Sequence, residues 1–281
     1  MFLNMKPKLF VSVFLLLGSL ALSAQDFSSH PWKDARVAFI GDSITDPYIE
    51  QENHDWTGKD NFHYWGCLQK YLGIKPYVYG VSGRMWDDVV NQANQLKSEH
   101  GDDFDAITIF LGTNDFIGDV PLGEWYETSL KTAVRALGYP AVEAKRPSRT
   151  PVMDMSTLRG RINVAMSTLK RMFPEKQIVI LTPVHRAYAT FGEQNIQPDE
   201  SFPNRLGLYF LDYVEAIREA GNVWGVPVID LNSVCGINPM VEEQVIYFSD
   251  SETDRLHPNA KGHERIARTL LYQLFSLPCR F

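Results

Sequence analysis

From residue 36 onward, short runs of β-branched and aromatic residues alternate with longer stretches in which apolar positions recur every three or four residues. The runs Arg36–Ile40, Tyr77–Tyr79, Ala106–Leu111, Gln177–Leu181 and Val226–Leu231 read as strands. Leu158, Ile162, Ala165, Leu169 and Met172 share one helical face, and Tyr209, Tyr213, Val214 and Ile217 share another that ends at Gly221. A last helix is expected to start at Pro258, a favoured first-turn residue, and to bury Ile266, Ala267, Leu270 and Leu274. Strands separated by crossover helices predict an α/β fold, a three-layer α/β/α arrangement around a flavodoxin-like, doubly wound, parallel five-stranded sheet.

The first 24 residues do not fit that alternation. Lys6 and Lys8 precede an uncharged apolar stretch, Leu9 to Ala24, that closes on the small residues Ala21, Ser23 and Ala24. This is the layout of a cleaved secretory signal peptide. Its 16 residues fall short of the roughly 20 needed to span a membrane, and no cysteine follows that could carry a lipid anchor. The expected mature domain is 25–281, with no membrane span, in the periplasm or outside the cell.

Composition narrows the partners. The chain of 281 residues is 44% hydrophobic and 22% charged, enough for a core and far from a disordered composition. Its 27 Lys+Arg against 34 Asp+Glu give a net charge of −7, which becomes −9 once the leader takes Lys6 and Lys8 with it. A nucleic-acid partner gains nothing from that field. Cys67, Cys235 and Cys279 contain no C-x-x-C spacing, so no metal knuckle is formed and at most one disulfide can form. Whether Cys235 and Cys279 pair is open on sequence.

One stretch is too long to be a simple connection. Residues 116–153 hold Pro121, Pro140, Pro147 and Pro151 and a basic cluster at Lys145, Arg146 and Arg149. They form either a tolerated surface insertion or a wall of a binding cleft.

In an open parallel sheet, ligands sit beyond the carboxyl ends of the strands. Gly41-Asp42-Ser43 follows the first strand, Gly80-Val81-Ser82-Gly83 the second and Gly112-Thr113-Asn114-Asp115 the third. Asp254-Arg255-Leu256-His257 leads into the last helix. Singly, Ser43 is a good helix cap, Gly83 and Asn114 are ordinary turn residues, and Asp254 with His257 is a plausible local contact. Together they supply a nucleophile, a base, a carboxylate to orient the base, and oxyanion donors.

The four segments, in this order, resemble the SGNH hydrolases, also called the GDSL lipase/esterase family. Gly-Asp-Ser at 41–43 matches the first block of that family, Gly83 the second, Gly112–Asp115 the third and Asp254-x-x-His257 the fifth. The resemblance implies a serine ester hydrolase without a cofactor or metal. It makes Ser43 the nucleophile, His257 the general base and Asp254 its orienting carboxylate. The oxyanion hole would comprise the backbone N–H of Ser43, the backbone N–H of Gly83 and the side-chain amide of Asn114.

Other residues carry two readings each. Asp42 and Asp115 read as braces of their loops. Arg84 either binds an anionic group or pairs with a surface acid, and His185, after the fourth strand, either touches substrate or is held by hydrogen bonds. Tyr48, Trp56, Phe62, Tyr64, Trp65, Trp86, Trp125 and Tyr126 cluster around the motifs. One or two of them, Trp86 included, are candidates to stack on a sugar ring, the rest belonging to packing.

Competing chemistries lack their motifs. There is no G-x-S-x-G elbow, no G-x-x-x-x-G-K-[ST], no G-x-G-x-x-G and no H-E-x-x-H. The leading expectation is a secreted esterase acting on a small-molecule or polysaccharide ester, preferably an O-acetylated carbohydrate. A lipase, lysophospholipase or thioesterase of the same family is the competing enzyme, and a noncatalytic carbohydrate-binding protein the competing class.

Overall fold

Val37 and Phe39 point to one side of the first strand and Ala38 and Ile40 to the other, and both sides are buried. Such two-sided burial requires helices on each face. The computed structural model, which describes residues 30–48, 63–133, 144–277 and 281, supplies them. In chain order the elements are β1 (Arg36–Gly41), α1 (Tyr64–Leu72), β2 (Lys75–Val78), α2 (Val89–His100), β3 (Ala106–Phe110), α3 (Thr113–Ile117), β4 (Tyr126–Ala133), β5 (Ala144–Pro151) and α4 (Leu158–Met172). There follow β6 (Gln177–Leu181), β7 (Ala189–Thr190), β8 (Ile196–Gln197), α5 (Phe210–Trp224), β9 (Val228–Ile229), α6 (Leu231–Val234), β10 (Phe248–Asp250), β11 (Asp254–Pro258) and α7 (Ala260–Ser276).

The central sheet runs β2-β1-β3-β6-β9, and every pair in it is parallel. This is the strand order of the expected flavodoxin-like sheet. Ala38, Ile40, Ile107, Ile109, Ile178 and Ile180 join a core with α2, α4 and α5 on one face. Val37, Phe39, Phe110, Val179 and Leu181 join a second core with α1 and α7 on the other. The chain reverses its winding between β1 and β3, so their carboxyl ends open a crevice at the switch point.

Two boundaries differ from the sequence pattern. The last central strand is only Val228–Ile229, because Leu231 already starts α6. Pro258 is the final residue of β11, opposite Phe248, and not a first-turn residue. Asn259 takes the capping position of α7, its side chain accepting from the N–H groups of Lys261 and Gly262. Ile266, Ala267, Leu270 and Leu274 are all buried by that helix.

Within 116–153 the chain forms an antiparallel ribbon of β4 and β5, in register from Tyr126 opposite Pro151 to Ala133 opposite Ala144. Having only edges, a two-stranded ribbon can hold Pro147 and Pro151. Its root is clamped by Asn163 of α4. The Asn163 amide donates to the carbonyls of Trp125 and Val152, both at 2.9 Å, and its oxygen accepts from the Trp224 indole at 2.9 Å. A separate four-stranded sheet, β10-β11-β7-β8, forms part of the rim. Cys235 is a buried free thiol, and burial raises its pKa to about 11. Cys279, the leader, Trp56 and Phe62 lie outside the described residues.

Candidate active site

The turn after β1 is built by Asp42. Its backbone carbonyl accepts from the N–H groups of Thr45 and Asp46, and its carboxylate accepts from the N–H of Ile44. Gln92 of α2 grips the same turn from below, taking the Gly41 N–H and giving its amide to the Gly41 carbonyl, both at 3.0 Å. Thr45 packs so closely on Gly41 that a Cβ there would lie 2.2 Å from its hydroxyl oxygen. These constraints hold Ser43 above the crevice.

Ser43, Asp254 and His257 converge from opposite ends of the chain. His257 Nε2 lies 2.9 Å from Ser43 Oγ, and His257 Nδ1 lies 2.9 Å from Asp254 Oδ2. With Nδ1 donating to the carboxylate, Nε2 is the nitrogen left to accept from the hydroxyl. The second oxygen of Asp254 accepts from the N–H groups of Leu256 and His257, at 3.1 and 3.0 Å. All three residues are nearly sheltered, Ser43 and His257 being 8% exposed and Asp254 7%.

Gly83 adopts φ +77°, a conformation disfavoured for residues with a Cβ, and the space where a Cβ would project is open within 4 Å. Asn114, at the start of α3, directs its amide to the carbonyl of Arg84 at 3.0 Å. It also reaches Asp42 Oδ2 at 3.4 Å. The three segments that follow β1, β2 and β3 are thus tied together at one rim.

Buried charge surrounds them. Burial pushes the Asp42 carboxyl up to about 7. Burial likewise pushes Asp115 up to about 6, although Arg161 bonds to it at 2.9 Å. Asp115 also accepts from the N–H of Trp86, so both acids brace loops. Arg186 is fully buried, its guanidinium donating to Thr113 Oγ1 and Gln197 Oε1 and lying over the Phe116 ring. Burial lowers its pKa to about 10.

The secondary candidates separate. Arg84 faces Asp88 at 3.4 Å with its guanidinium half exposed. His185 is engaged by Glu200, Nδ1 to Oε1 at 2.5 Å, and that bond raises its pKa. Glu200 also accepts from the N–H of Arg186. Trp86, expected as a candidate substrate contact, is instead 0% exposed and belongs to the core with α2 and α4. It starts a short 3-10 turn that leads into α2, where its indole fills the interior. Tyr64 and Trp65 are buried too, bonded to Thr45, while Tyr48 is exposed. Trp125 donates to Glu219 beneath the ribbon.

The sequence pattern did not single out Phe191, whose ring stands against the His257 imidazole, nor Asp46, Gln92 and Arg186. Gln92 carried a weak signal, a polar residue on the buried face of a helix.

A fold with its crevice at this switch point and a Ser, His and Asp in line at the rim has the architecture of a hydrolase. Residues 39–265 match the model of the GDSL-like lipase/acylhydrolase family, and the chain belongs to that family. No curated protein matches it in sequence. A solved structure from Lactobacillus plantarum is 25% identical, with a TM-score of 0.64 over 87% of this chain and 98% of that one. A possible lipase from Chitinophaga pinensis DSM 2588 is 19% identical, with a TM-score of 0.59 over 87% and 100%. A single-residue variant of Axe2, an acetyl xylan esterase from Geobacillus stearothermophilus, is 16% identical, with a TM-score of 0.50 over 88% and 97%. These last two likenesses concern the fold. Among the described residues no helix is long and apolar enough to cross a membrane. No group of three or more His, Cys, Asp or Glu among them could hold a metal ion.

Proposed function

We propose that the protein is a secreted serine esterase that hydrolyses acyl esters, acetyl esters of carbohydrates foremost. The observation that carries the reading is the continuous relay from Ser43 Oγ through His257 to Asp254, with both links at 2.9 Å. In this mechanism His257 Nε2 takes the Ser43 proton as Oγ attacks the ester carbonyl. The imidazolium is stabilised by Asp254 and then gives its proton to the departing alcohol. Water, activated by the same nitrogen, releases the acid from the acyl-enzyme. The N–H groups of Ser43 and Gly83 and the amide of Asn114 receive the oxyanion.

Export follows from residues 1–24 read as a signal peptide. A mature charge of −9, after loss of Lys6 and Lys8, suits neutral acylated sugars better than anionic membranes. The shared fold of an acetyl xylan esterase supports the acetyl preference as an analogy of fold.

The test is turnover of 4-nitrophenyl acetate by the purified protein and by Ser43→Ala, with folding checked by circular dichroism. Activity that survives the substitution removes Ser43 from the reaction, and no turnover of any acyl ester removes the esterase reading in favour of a binding protein. A series of acyl chains on one alcohol then decides the substrate class. Steep preference for C2 supports deacetylation, whereas preference for C8 or longer transfers the reading to a lipase. Export is checked by the amino terminus of the protein recovered outside the cytoplasm, expected at Gln25.

A further inference from the structure

Phe191 is 43% exposed, yet its ring is in a T-shaped contact with the His257 imidazole, centroids 5.3 Å apart and planes at 62°. The backbone frame that holds it is short and pinned. Phe191 follows β7, where Ala189 pairs with Asp254 and the N–H of Thr190 bonds to the Thr253 carbonyl at 2.8 Å. The turn closes through Phe191 N–H to Asn195 O at 2.9 Å and Asn195 N–H to Gly192 O at 3.1 Å, with Gly192 at φ +111°. Behind it, the Gln197 amide donates to Asn195 Oδ1 while its oxygen accepts from the buried Arg186. The ring is therefore placed by the same strands that place Asp254.

An exposed aromatic is ordinary on a protein surface. One that touches the base of a relay is placed with respect to a reaction. On the proposed mechanism, the proton leaving His257 Nε2 goes to the alcohol oxygen of the ester, so that oxygen must come within hydrogen-bond reach of the imidazole. The oxyanion donors Gly83 and Asn114 follow other strands, β2 and β3. A ring on the imidazole therefore borders the departing alcohol, and not the oxyanion.

We infer that Phe191 is a specificity-determining residue for the alcohol half of the ester, its exposed face receiving a ring-shaped alcohol such as a pyranose through that ring's C–H surface. The inference rests on the serine-esterase reading above. Burying an apolar face against an aromatic ring is worth about a three- to tenfold preference.

The experiment measures kcat/KM for methyl acetate, cyclohexyl acetate and a mono-acetylated methyl xyloside with the wild type, Phe191→Ala and Phe191→Trp. Taking methyl acetate as the reference within each protein cancels any general effect on His257. The expected result is that the cyclohexyl-to-methyl ratio falls about three- to tenfold in Phe191→Ala and is kept in Phe191→Trp. A ratio within twofold of wild type in Phe191→Ala overturns the inference even if all three acetates are good substrates. Failure of the wild type on all three overturns the acetyl-esterase reading and the inference with it. Hydrolysis of the cyclic acetate but not the xyloside, with the dependence on Phe191 intact, overturns the carbohydrate preference alone and upholds the role of the ring.

Discussion

The carboxylate of Asp46 accepts both the backbone N–H and the hydroxyl of Ser82, at 2.9 and 3.0 Å. Asp46 ends the turn that carries Ser43, and Ser82 precedes Gly83, so one side chain couples the two segments that carry two of the proposed oxyanion donors. Its other oxygen accepts from the N–H of Tyr48 at 2.8 Å, which leaves the carboxylate little freedom.

Asp46→Ala is expected to lower kcat on 4-nitrophenyl acetate about 10- to 100-fold, the scale of an ångström-sized misplacement of a catalytic group. KM should move less, because the ester itself makes no contact with Asp46 on this reading. Steady-state kinetics decide it, and a kcat within twofold of wild type would mean that the loop keeps its place unaided.

The proposed relay and the proposed oxyanion donors are separable by mutation. Asp254→Asn should reduce kcat by roughly four orders of magnitude, because the imidazole loses the partner that fixes its tautomer. Asn114→Ala should cost about 100- to 1000-fold in kcat, the usual loss for one oxyanion donor. Because Asn114 also bonds to the Arg84 carbonyl, the thermal midpoint of the variant should be followed alongside. A large fall in the single-turnover rate with the midpoint preserved supports the assignment.

Asp42 predicts a pH dependence of stability. Burial holds its carboxyl at about 7 against an ordinary 3.8, so the folded chain keeps a proton that the unfolded chain has released. That contribution to stability is complete below about pH 4 and is lost as pH rises through about 7. Asp42→Asn stays neutral throughout, so the variant should gain on the wild type as pH rises between those limits. Asp115 is also pushed up and its charge acts on Asp42, so the comparison is repeated in an Asp115→Asn background, where the gap should still widen with pH. Thermal melts at pH 4, 5.5, 7 and 8 measure the gap, and a constant gap contradicts the assignment.

Asn163 is expected to be a stability residue with no part in the chemistry. Asn163→Ala would take the Asn163 partner from the Val152 carbonyl and the Trp224 indole, and one of two donors from the Trp125 carbonyl, which keeps the N–H of Val152. The cost should be about 2–4 kcal/mol, as for other buried polar groups left unsatisfied. Urea unfolding gives the stability, and 4-nitrophenyl acetate turnover at low temperature should be nearly unaltered. A large loss of kcat at full folding would instead place the ribbon's root in the site.

The reach of sequence reasoning is clearest where local periodicity and global packing agree. Val37 and Phe39 against Ala38 and Ile40, or Ile178 and Ile180 against Val179 and Leu181, carry apolar groups on both faces, and the sheet buries both. Leu158 to Met172 repeats at helical spacing, and α4 occupies that range. Pro258 misled because its fixed φ suits a first turn, but the pairing of β11 with β10 claimed it for a strand. Trp86 misled because closeness to a motif in sequence says nothing about which way a side chain points.

By itself, the sequence determined the strand order's raw material, the segments at the strand ends and the residue types able to carry an acyl transfer, because these depend on local period and on side-chain chemistry. Only the tertiary structure decided that His257, 214 residues beyond Ser43, stands 2.9 Å from it. It also decided that Phe191 rests on that imidazole, that Asp46 holds Ser82, and that Arg186 is buried beside them. Those contacts join strands and turns distant in the chain. They exist because the winding of the sheet reverses between β1 and β3 and a separate sheet brings β7 beside β11, a long-range arrangement that no local pattern encodes.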